Sequence, residues 1–258
     1  MTYYLIGTGN IAWFLASRMQ AGGHTCSGLM GRNNEATTAL AREFNFPVVQ
    51  RINDGADACL LAVSDNAIHE VASTLQLNST ALIHHSGSVA MSSLAIGAAR
   101  TGVVWPIYSI LKNNLPVHRQ FPCLYEANNS AALRVVQEVC TAISSIQYEA
   151  DSNQRQWMHL TAVLGNNFTN YLLGMCADIC KEQQMPFNLL QPILQQTLDR
   201  VNIYAPKEVQ TGPARRNDTG TMQKHLEMME PHPQWQVVYE ALSVAIKSTY
   251  YNGNNNGQ

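Results

Sequence analysis

The chain has 258 residues, of which 46% are hydrophobic and 13% charged, so it can bury one large core or two modest ones. The formal net charge of −2 and the lack of a dense Lys/Arg cluster argue against a nucleic-acid partner. No signal-peptide pattern and no apolar stretch near the roughly 20 residues that span a bilayer is present, and we therefore expect a cytoplasmic protein without a membrane partner. The six cysteines include no Cys-x-x-Cys pair and no histidine at metal-ligand spacing, which predicts free thiols and no metal site.

The chain opens with a strand-like run over residues 2–6 that leads into Gly7-Thr-Gly-Asn-Ile-Ala12 and then into a helical pattern. This Gly-x-Gly-x-x-Ala spacing is typical of a dinucleotide-binding turn. Gly7 would form the tight turn, Gly9 would let the backbone approach a diphosphate, and Ala12 would allow close packing of helix on strand. The free N–H groups of the helix would then hold the anion. The alternative is a structural turn that binds no nucleotide.

Strand-like and helical patterns alternate up to residue 150, which predicts a doubly wound, mainly parallel sheet. The predicted strands cover residues 2–6, 25–30, 58–63, 81–85, 102–105, 123–125 and 146–149, and helices between them include 35–44 and 130–144. From residue 151 the pattern is only helical, with helices predicted over 157–185, 188–204, 221–229 and 233–250. We therefore predict an α/β domain over residues 1–150, an all-helical domain over 151–251 and a disordered tail over 252–258.

The end of the second predicted strand indicates which cofactor is bound. An Asp or Glu at this place binds the ribose 2′-hydroxyl of NAD, whereas an Arg accommodates the 2′-phosphate of NADP. The chain has Gly31-Arg-Asn-Asn34 here, and no acidic residue lies between His24 and Asn34. We therefore predict NADP as the cofactor, with the Arg32 guanidinium on the phosphate. A solvated surface arginine is the alternative.

Ligands of such sheets lie beyond the carboxyl ends of the strands, and three of these ends carry polar or aromatic residues. Ser64 or Asp65 could contact the nicotinamide ribose, although Asp65 could instead cap the next helix. His85 is the candidate that gives or takes a proton beside the transferred hydride, and it is preferred over His84. The third of these strand ends is at Trp105. The complete predicted set of cofactor contacts is Gly7, Thr8, Gly9, Asn10, Ile11, Arg32, Asn33, Val63, Ser64, Asp65 and Ser86.

On the long helix predicted over residues 157–185, three polar residues fall within a narrow arc at about 100° per residue. They are His159, Asn166 and Asn170. A polar stripe on a buried helix needs hydrogen-bond partners, which a substrate, the nicotinamide amide or neighbouring helices could supply. We name Asn166 and Asn170 as candidate catalytic residues and favour a structural role for His159.

The segment Gly212-Pro-Ala-Arg-Arg-Asn-Asp218 breaks one helix and precedes another. Arg215 and Arg216 are adjacent and cannot both face inward. One of them could bind a substrate carboxylate through two hydrogen bonds, while Asp218 caps the following helix. We name Arg215 as the candidate, although the sequence does not distinguish the two, and a solvated surface cluster is the alternative.

These motifs together resemble a family of bacterial NADP oxidoreductases that join a Rossmann-like domain to a helical domain of unknown function. The resemblance covers nearly the whole chain and rests on the glycine turn, on Gly31-Arg32, on His84-His-Ser-Gly-Ser88 and, most specifically, on the segment from Gly212 to Asp218. It implies a Rossmann-type α/β domain that binds NADP, a helical domain similar to that of 6-phosphogluconate dehydrogenase, and a homodimer formed through the helical domains. It implies no particular substrate.

The long helix narrows the chemistry that the resemblance implies. Hydroxyacid dehydrogenases similar to 6-phosphogluconate dehydrogenase carry a catalytic lysine four residues before an asparagine, but here Ala162 precedes Asn166 and the helix has no lysine before Lys181. Residues 161–165 look more like the helix of pyrroline-5-carboxylate reductase, whereas residues 166–170 depart from that enzyme's pattern, so its substrate is not carried over.

We expect NADPH-dependent reduction of a C=N or C=O bond in a small molecule that could carry a carboxylate. One alternative is a non-catalytic NADP(H)-binding sensor protein, since no residues of the sequence form an unmistakable acid–base set. A second alternative is a deazaflavin-dependent NADP oxidoreductase. Such enzymes share the front domain, but their second domain is usually smaller than the one predicted here.

Overall fold

The computed structural model describes residues 1–251, and the tail predicted to be disordered, 252–258, lies outside them. The chain divides into two compact units, one from Met1 to Asn167 and one from Phe168 onward. Among the described residues, none of the helices combines the length and the apolar character that crossing a membrane requires.

A seven-stranded sheet forms the centre of the first unit. Its strands are β1 (Thr2–Ile6), β2 (Thr25–Met30), β3 (Ala58–Leu61), β4 (Leu77–His84), β5 (Ala98–Pro106), β6 (Pro122–Ala127) and β7 (Ile146–Glu149). Their order is β2-β1-β3-β4-β5-β6-β7, and neighbouring strands are parallel except for the antiparallel pair β5–β6. The predicted doubly wound, mainly parallel sheet is therefore confirmed. Its order reverses beside β1, so the carboxyl ends of β1 and β3 flank the switch point at which ligands bind.

Helices cover both faces of this sheet. They are α1 (Asn10–Ala21), α2 (Asn34–Phe44), α3 (Ile68–Ser73), α4 (Ser130–Ile143) and α5 (Ser152–Ala162), with short 3-10 segments at Asp65–Ala67 and Met91–Leu94. On one face, Phe14 of α1 packs in a core with Val136 and Ile143 of α4, all of them fully buried. On the other face, Ile68 of α3 and Leu94 belong to a second core. Because strand side chains alternate between the faces, β1, β3 and β4 each contribute buried residues to both cores.

The predicted strand positions agree with the structure, with differences in length. β1, β2 and β7 begin and end at the predicted residues, whereas β4 and β5 begin four residues earlier than predicted, at Leu77 and Ala98. The early part of β4 is polar, and its register with β5 shifts between Leu77 and Ala81, so it lacks the alternation of a regular strand. A helix was expected after Asp65, but the bounds of α3 were not predicted, because six residues are too few to show a helical period.

The compact units divide later than the domain boundary predicted near residue 150. Asp151 caps α5 through a capping box, in which its carboxylate accepts from Gln154 N at 2.8 Å and the Gln154 side chain accepts from Asp151 N at 3.0 Å. Arg155 of α5 is fully buried and pairs with Glu126 of β6 at 2.6 Å. These contacts join α5 to the sheet. The all-helical part of the chain therefore begins with α5, before the second compact unit begins at Phe168.

The single helix predicted over residues 157–185 is divided in the structure. Helix α5 ends at Ala162, a π-helical segment covers Val163–Phe168, and α6 covers Thr169–Glu182. The i→i+5 hydrogen bonds of a π-helix hold more residues in each turn than an α-helix does. The spacing of about 100° per residue, used to align His159 with Asn166, therefore does not hold through this segment.

The second unit consists of helices. After α6 come α7 (Gln191–Val201), α8 (Pro213–Arg216), α9 (Thr219–Met228) and α10 (Pro233–Tyr250), with a 3-10 segment at Phe187–Leu190 before α7. Ala214 and Trp235 are its only buried hydrophobic side chains in the described part of the chain. Large apolar side chains such as Tyr171, Leu198 and Val237 are more than half exposed, at 53%, 61% and 66%. The second unit thus presents an extensive apolar surface.

Candidate cofactor and substrate sites

The turn between β1 and α1 requires glycine at its first position. Gly7 has a φ of 120°, a conformation that side-chain-bearing residues rarely adopt. A Cβ atom at Gly7 would also lie 2.1 Å from the Ala62 carbonyl oxygen. The Gly7 N–H donates to Met30 O at 2.9 Å, which joins the turn to the end of β2. The turn therefore lies against the ends of both β2 and β3.

The amino end of α1 is open to a ligand. Gly9 is the N-cap residue, no side chain caps the helix, and its first turn contains no acidic residue. A Cβ at Gly9 would meet no atom within 4 Å, whereas Ala12 is fully buried in the core. The first N–H groups of a helix have no partner within it and carry the positive end of the helix dipole. This end of α1 is therefore suited to an anion.

A cavity of about 520 Å³ lies over the glycine turn, within the size range of small-molecule sites. Its lining residues are Gly7, Thr8, Gly9, Asn10, Ile11, Arg32, Asn33, Ala62, Val63, Ser64, Ala67 and Val71. The structure thus brings together all the predicted cofactor contacts except Asp65 and Ser86. Arg32 is the only charged residue of this lining, and no carboxylate is present to repel an anionic ligand.

Arg32 is held at the edge of this cavity by the start of α2. Asn33 caps α2, with its Oδ1 accepting from Ala36 N at 2.9 Å. The Arg32 side chain is exposed and forms no ion pair within residues 1–251. Glu35 lies in the first turn of α2 but does not line the cavity. A free guanidinium is therefore available for a phosphate at this position.

Asp65 and Ser86 use their side chains to order the loop after β4. Asp65 Oδ2 accepts a hydrogen bond of 2.5 Å from Ser88 Oγ. Ser86 Oγ accepts from the N–H groups of Ser88 and Val89, both at 3.1 Å. Ser64, not Asp65, is the N-cap residue of the following 3-10 helix, and its side chain makes no capping bond. The predicted ribose contact of Asp65 thus competes with a short contact inside the protein.

The environment of His85 argues against proton donation at neutral pH. Its Nδ1 lies 2.7 Å from Val104 O, and because a carbonyl only accepts, Nδ1 carries the proton. Its Nε2 is buried without a partner and is therefore the unprotonated nitrogen. Burial lowers the pKa of His85 to about 4, and burial together with the Arg155 charge lowers the pKa of His84 to about 3. Both imidazoles are neutral at pH 7, and neither lines the cofactor cavity.

A second cavity, of about 620 Å³, lies at the carboxyl end of β5. Its lining residues are Trp105, Pro106, Ile107, Tyr108, Ser109, His159, Ala162, Val163, Gly165, Asn166 and Asn167. The Trp105 and His159 rings lie against each other, with their centroids 5.7 Å apart. Gly87 of the loop after β4 packs on both rings, since a Cβ there would lie 2.6 Å from Trp105 and 2.7 Å from His159. The cavity offers aromatic faces, amides and hydroxyls, and its lining includes no Lys, Arg, Asp or Glu.

The second cavity changes the interpretation of the polar residues on the long helix. The polar stripe was expected on a buried helix, but Asn166 and Asn170 are both exposed. Asn166 lines the cavity from the π-helical segment, and such segments are frequent at functional sites. Asn170 lies in the second unit. His159, for which a structural role was favoured, lies on the cavity wall.

Arg155 is a residue of this region that the sequence did not reveal. Its guanidinium donates to Glu126 Oε2 at 2.6 Å, to Val89 O at 2.6 Å and to Ser86 O at 3.2 Å. These bonds tie both ends of the turn around Gly87 to α5. In the sequence, Arg155 is a single basic residue near a helix start, and only the folded chain shows these three distant partners.

The arginines of the predicted substrate-binding segment lie in the second unit. The Arg215 guanidinium lies over the Tyr250 ring, 5.0 Å from its centroid, and both Arg215 and Arg216 are exposed. Asp218 caps α9, as the sequence predicts, with its carboxylate accepting from Thr221 N at 3.0 Å. The hydrogen bond from Thr221 N lowers the pKa of Asp218.

Comparison with protein families assigns the two parts of the chain separately. Residues 2–86 match the family described as NADP oxidoreductase, coenzyme F420-dependent. Residues 121–246 match a domain of unknown function, DUF2520. No curated protein matches the chain significantly.

Solved structures similar to this chain include reductases. A candidate NADP oxidoreductase from Bacteroides fragilis is 27% identical, with a TM-score of 0.85 over 96% of this chain and 98% of that one. A 1-pyrroline-5-carboxylate reductase from Streptococcus pyogenes is 13% identical, with a TM-score of 0.62 over 96% and 98% of the two chains. An imine reductase variant from Myxococcus stipitatus, in complex with NAD⁺, is 14% identical, with a TM-score of 0.63 over 99% and 94%. The last two similarities show a shared fold.

Proposed function

Since the chain joins an NADP oxidoreductase domain to a DUF2520 domain, we propose that it is an NADPH-dependent reductase of a C=N or C=O bond in a small molecule. The observation that carries the proposal is the cavity over the glycine turn, with Arg32 as its single charged lining residue. The similarity to an imine reductase and a pyrroline-5-carboxylate reductase supports the choice of reaction.

The preference for NADPH follows from the charges around this cavity. NADPH differs from NADH by the 2′-phosphate, and an unpaired guanidinium can bind that phosphate through two hydrogen bonds. Asp or Glu is the residue that selects for NAD, and neither lines the cavity. Arg32 therefore supplies the selectivity, while Gly9 and the amino end of α1 hold the diphosphate.

We place the substrate in the second cavity, at the carboxyl end of β5. The nicotinamide supplies the hydride, so the protein has to orient the substrate and provide a proton. Trp105 offers an aromatic face and Asn166 an amide for orientation. We assign proton donation to a group on this cavity, with His159 as the first candidate, because His85 is neutral and its free Nε2 can only accept. The sequence-based roles of Asn170 and Arg215 in substrate binding stay predictions.

We also propose that the protein forms a homodimer through its second unit. Helices α6 and α7 bury no residue, and several of their large apolar side chains, among them Tyr171, Ile193 and Leu198, are exposed within a single chain. Apolar surfaces of this extent are typical of protein–protein interfaces. A second copy of the chain would remove this surface from water.

The proposal is tested by calorimetric titration with NADPH and NADH. Replacing Arg32 by Ala should weaken NADPH binding by about 1–3 kcal/mol, the range for hydrogen bonds to charged groups, and leave NADH binding unchanged. Arg42→Ala is a matched control, because Arg42 is exposed on α2 and does not line the cavity. If neither nucleotide binds the wild-type protein, the proposed function is wrong.

A non-catalytic NADP(H)-binding protein is the second candidate function. It is favoured by one observation, the neutral state of His84 and His85 at pH 7. Consumption of NADPH in the presence of cyclic imines and ketones, followed by absorbance, would distinguish the two. A deazaflavin belongs in the same screen, because the family matched by residues 2–86 is described as coenzyme F420-dependent.

A further inference from the structure

The loop between β5 and β6 brings a lysine to the amino end of α1. Residues 111–114 form a tight turn, in which Asn114 N donates to Leu111 O at 3.0 Å. Lys112 lies at the tip of this turn, and its backbone N–H donates to Asn10 Oδ1 at 3.1 Å. Asn10 is the first residue of α1 and lines the cofactor cavity. The turn therefore lies directly beside the proposed diphosphate site.

The position of this turn is fixed from both sides. Before it, Ile110 is buried in the core on the face of α1, and after it, Phe121 is buried in the same core. The Arg18 guanidinium of α1 donates to the carbonyl of His118 at 2.7 Å and also to that of Pro116. The loop is thus attached to α1 near both ends of the helix, and Lys112 is presented next to Asn10.

The charge of Lys112 is available to a ligand. Its side chain is exposed and forms no ion pair within the described residues 1–251. A lysine ammonium is a compact charge on a flexible four-carbon stem, which suits a phosphate that is bound without fixed geometry. A dinucleotide carries negative charge on its diphosphate as well as on any 2′-phosphate, whereas the cavity lining itself includes only the charge of Arg32. At α1 the diphosphate meets only the partial charge of about +0.5 at the helix end.

We propose that Lys112 is a second cationic contact of the cofactor and that it binds the diphosphate beside the amino end of α1. This inference rests on the proposed function, because it requires a dinucleotide over the glycine turn. It divides the recognition between two residues. Arg32 recognises the phosphate that distinguishes NADPH from NADH, and Lys112 binds the diphosphate that both share.

The proposed roles of Arg32 and Lys112 are distinguished by measuring the affinities for NADPH and NADH side by side. Lys112→Gln keeps the backbone N–H and the bond to Asn10 but removes the charge. We expect this substitution to weaken the binding of NADPH and of NADH by the same factor, about two- to fivefold at low ionic strength, which is the range for an exposed ion pair. This loss of affinity should become smaller as salt is added, because salt screens an exposed charge. Lys112→Arg should restore most of the affinity.

Asn113→Ala is the matched control, since Asn113 lies in the same exposed turn and carries no charge. Wild-type affinity of Lys112→Gln for both nucleotides would overturn the inference while leaving the proposed function intact. An effect confined to NADPH would also overturn it, because the lysine would then act on the 2′-phosphate. If the wild-type protein binds neither nucleotide, the proposed function and this inference both fail.

Discussion

The two compact units bury their apolar side chains to very different extents. In the first unit, apolar side chains fill two cores, one on each face of the sheet. In the second unit, two hydrophobic side chains are buried in the described part, and Leu198 and Val237 are mainly exposed. The first unit is therefore stabilised by its own packing, whereas the exposed apolar side chains of the second support the proposed dimer interface.

The largest effect is expected at the buried ion pair of the first unit. Arg155→Ala leaves Glu126 without its cationic partner and the carbonyls of Ser86 and Val89 without their donor. We therefore expect the free energy of unfolding, measured in urea, to fall by about 3–5 kcal/mol. Arg215→Ala, in the second unit, removes an exposed contact with Tyr250 and should cost about 0.5–1 kcal/mol. Equal losses of unfolding free energy in Arg155→Ala and Arg215→Ala would contradict the contrast between the two units.

The next effect concerns association through the second unit. Leu198→Asp places a charge on the exposed apolar surface of α7, and we expect the Kd of the dimer to rise at least about tenfold, measured by analytical ultracentrifugation. Val117→Asp is the control, because Val117 is 94% exposed in the first unit. A wild-type protein that sediments as a monomer at all concentrations would show that the apolar surface of the second unit is not a dimer interface.

The third effect is the pH dependence of stability in the first unit. The folded-state pKa of His85, about 4, lies below the unfolded value near 6.5, so the unfolded chain binds more protons between these values. Stability should therefore fall as the pH is lowered from about 6.5 towards 4, by about 1–3 kcal/mol for this group. His85→Gln should reduce the slope of the unfolding free energy against pH. His69→Gln, at an exposed position on α3, should leave the slope unchanged.

The smallest effect is expected at the capping box of α5. Asp151→Ala removes the acceptor of the Gln154 N–H and should lower stability by about 1 kcal/mol, measured by thermal unfolding. Asp151→Asn keeps an acceptor oxygen and should be close to wild type. A loss as large with Asn as with Ala would show that the carboxylate charge matters more than the cap.

Local patterns explain which parts of the fold could be predicted. The short buried strands β1 and β2 and the glycine turn between β1 and α1 depend on residues close together in the chain. Arg32 was predicted at the cavity because the end of the second strand has a defined place relative to that turn. The π-helical segment Val163–Phe168 was missed because its residues also fit a regular helical pattern.

The candidate site was predicted in part for the same reason. Most of the predicted cofactor contacts lie on the turn or directly after β2 and β3, where position along the chain implies position in space. Proton chemistry was less predictable, because the protonation state of His85 depends on the Val104 carbonyl, 19 residues away, and on burial. The cavity beside Trp105 brings together β5 and residues of α5 about 50 positions later, and no local signal marks it.

The doubly wound sheet, the glycine turn and the position of Arg32 follow from the amino-acid sequence, because hydrophobic alternation and glycine geometry act over a few residues. Only the folded chain shows that Arg155 is buried on Glu126, that His85 is neutral, and that Lys112 lies beside Asn10. Burial and long-range hydrogen bonds set these three properties, and both arise from contacts between segments that are distant in the chain.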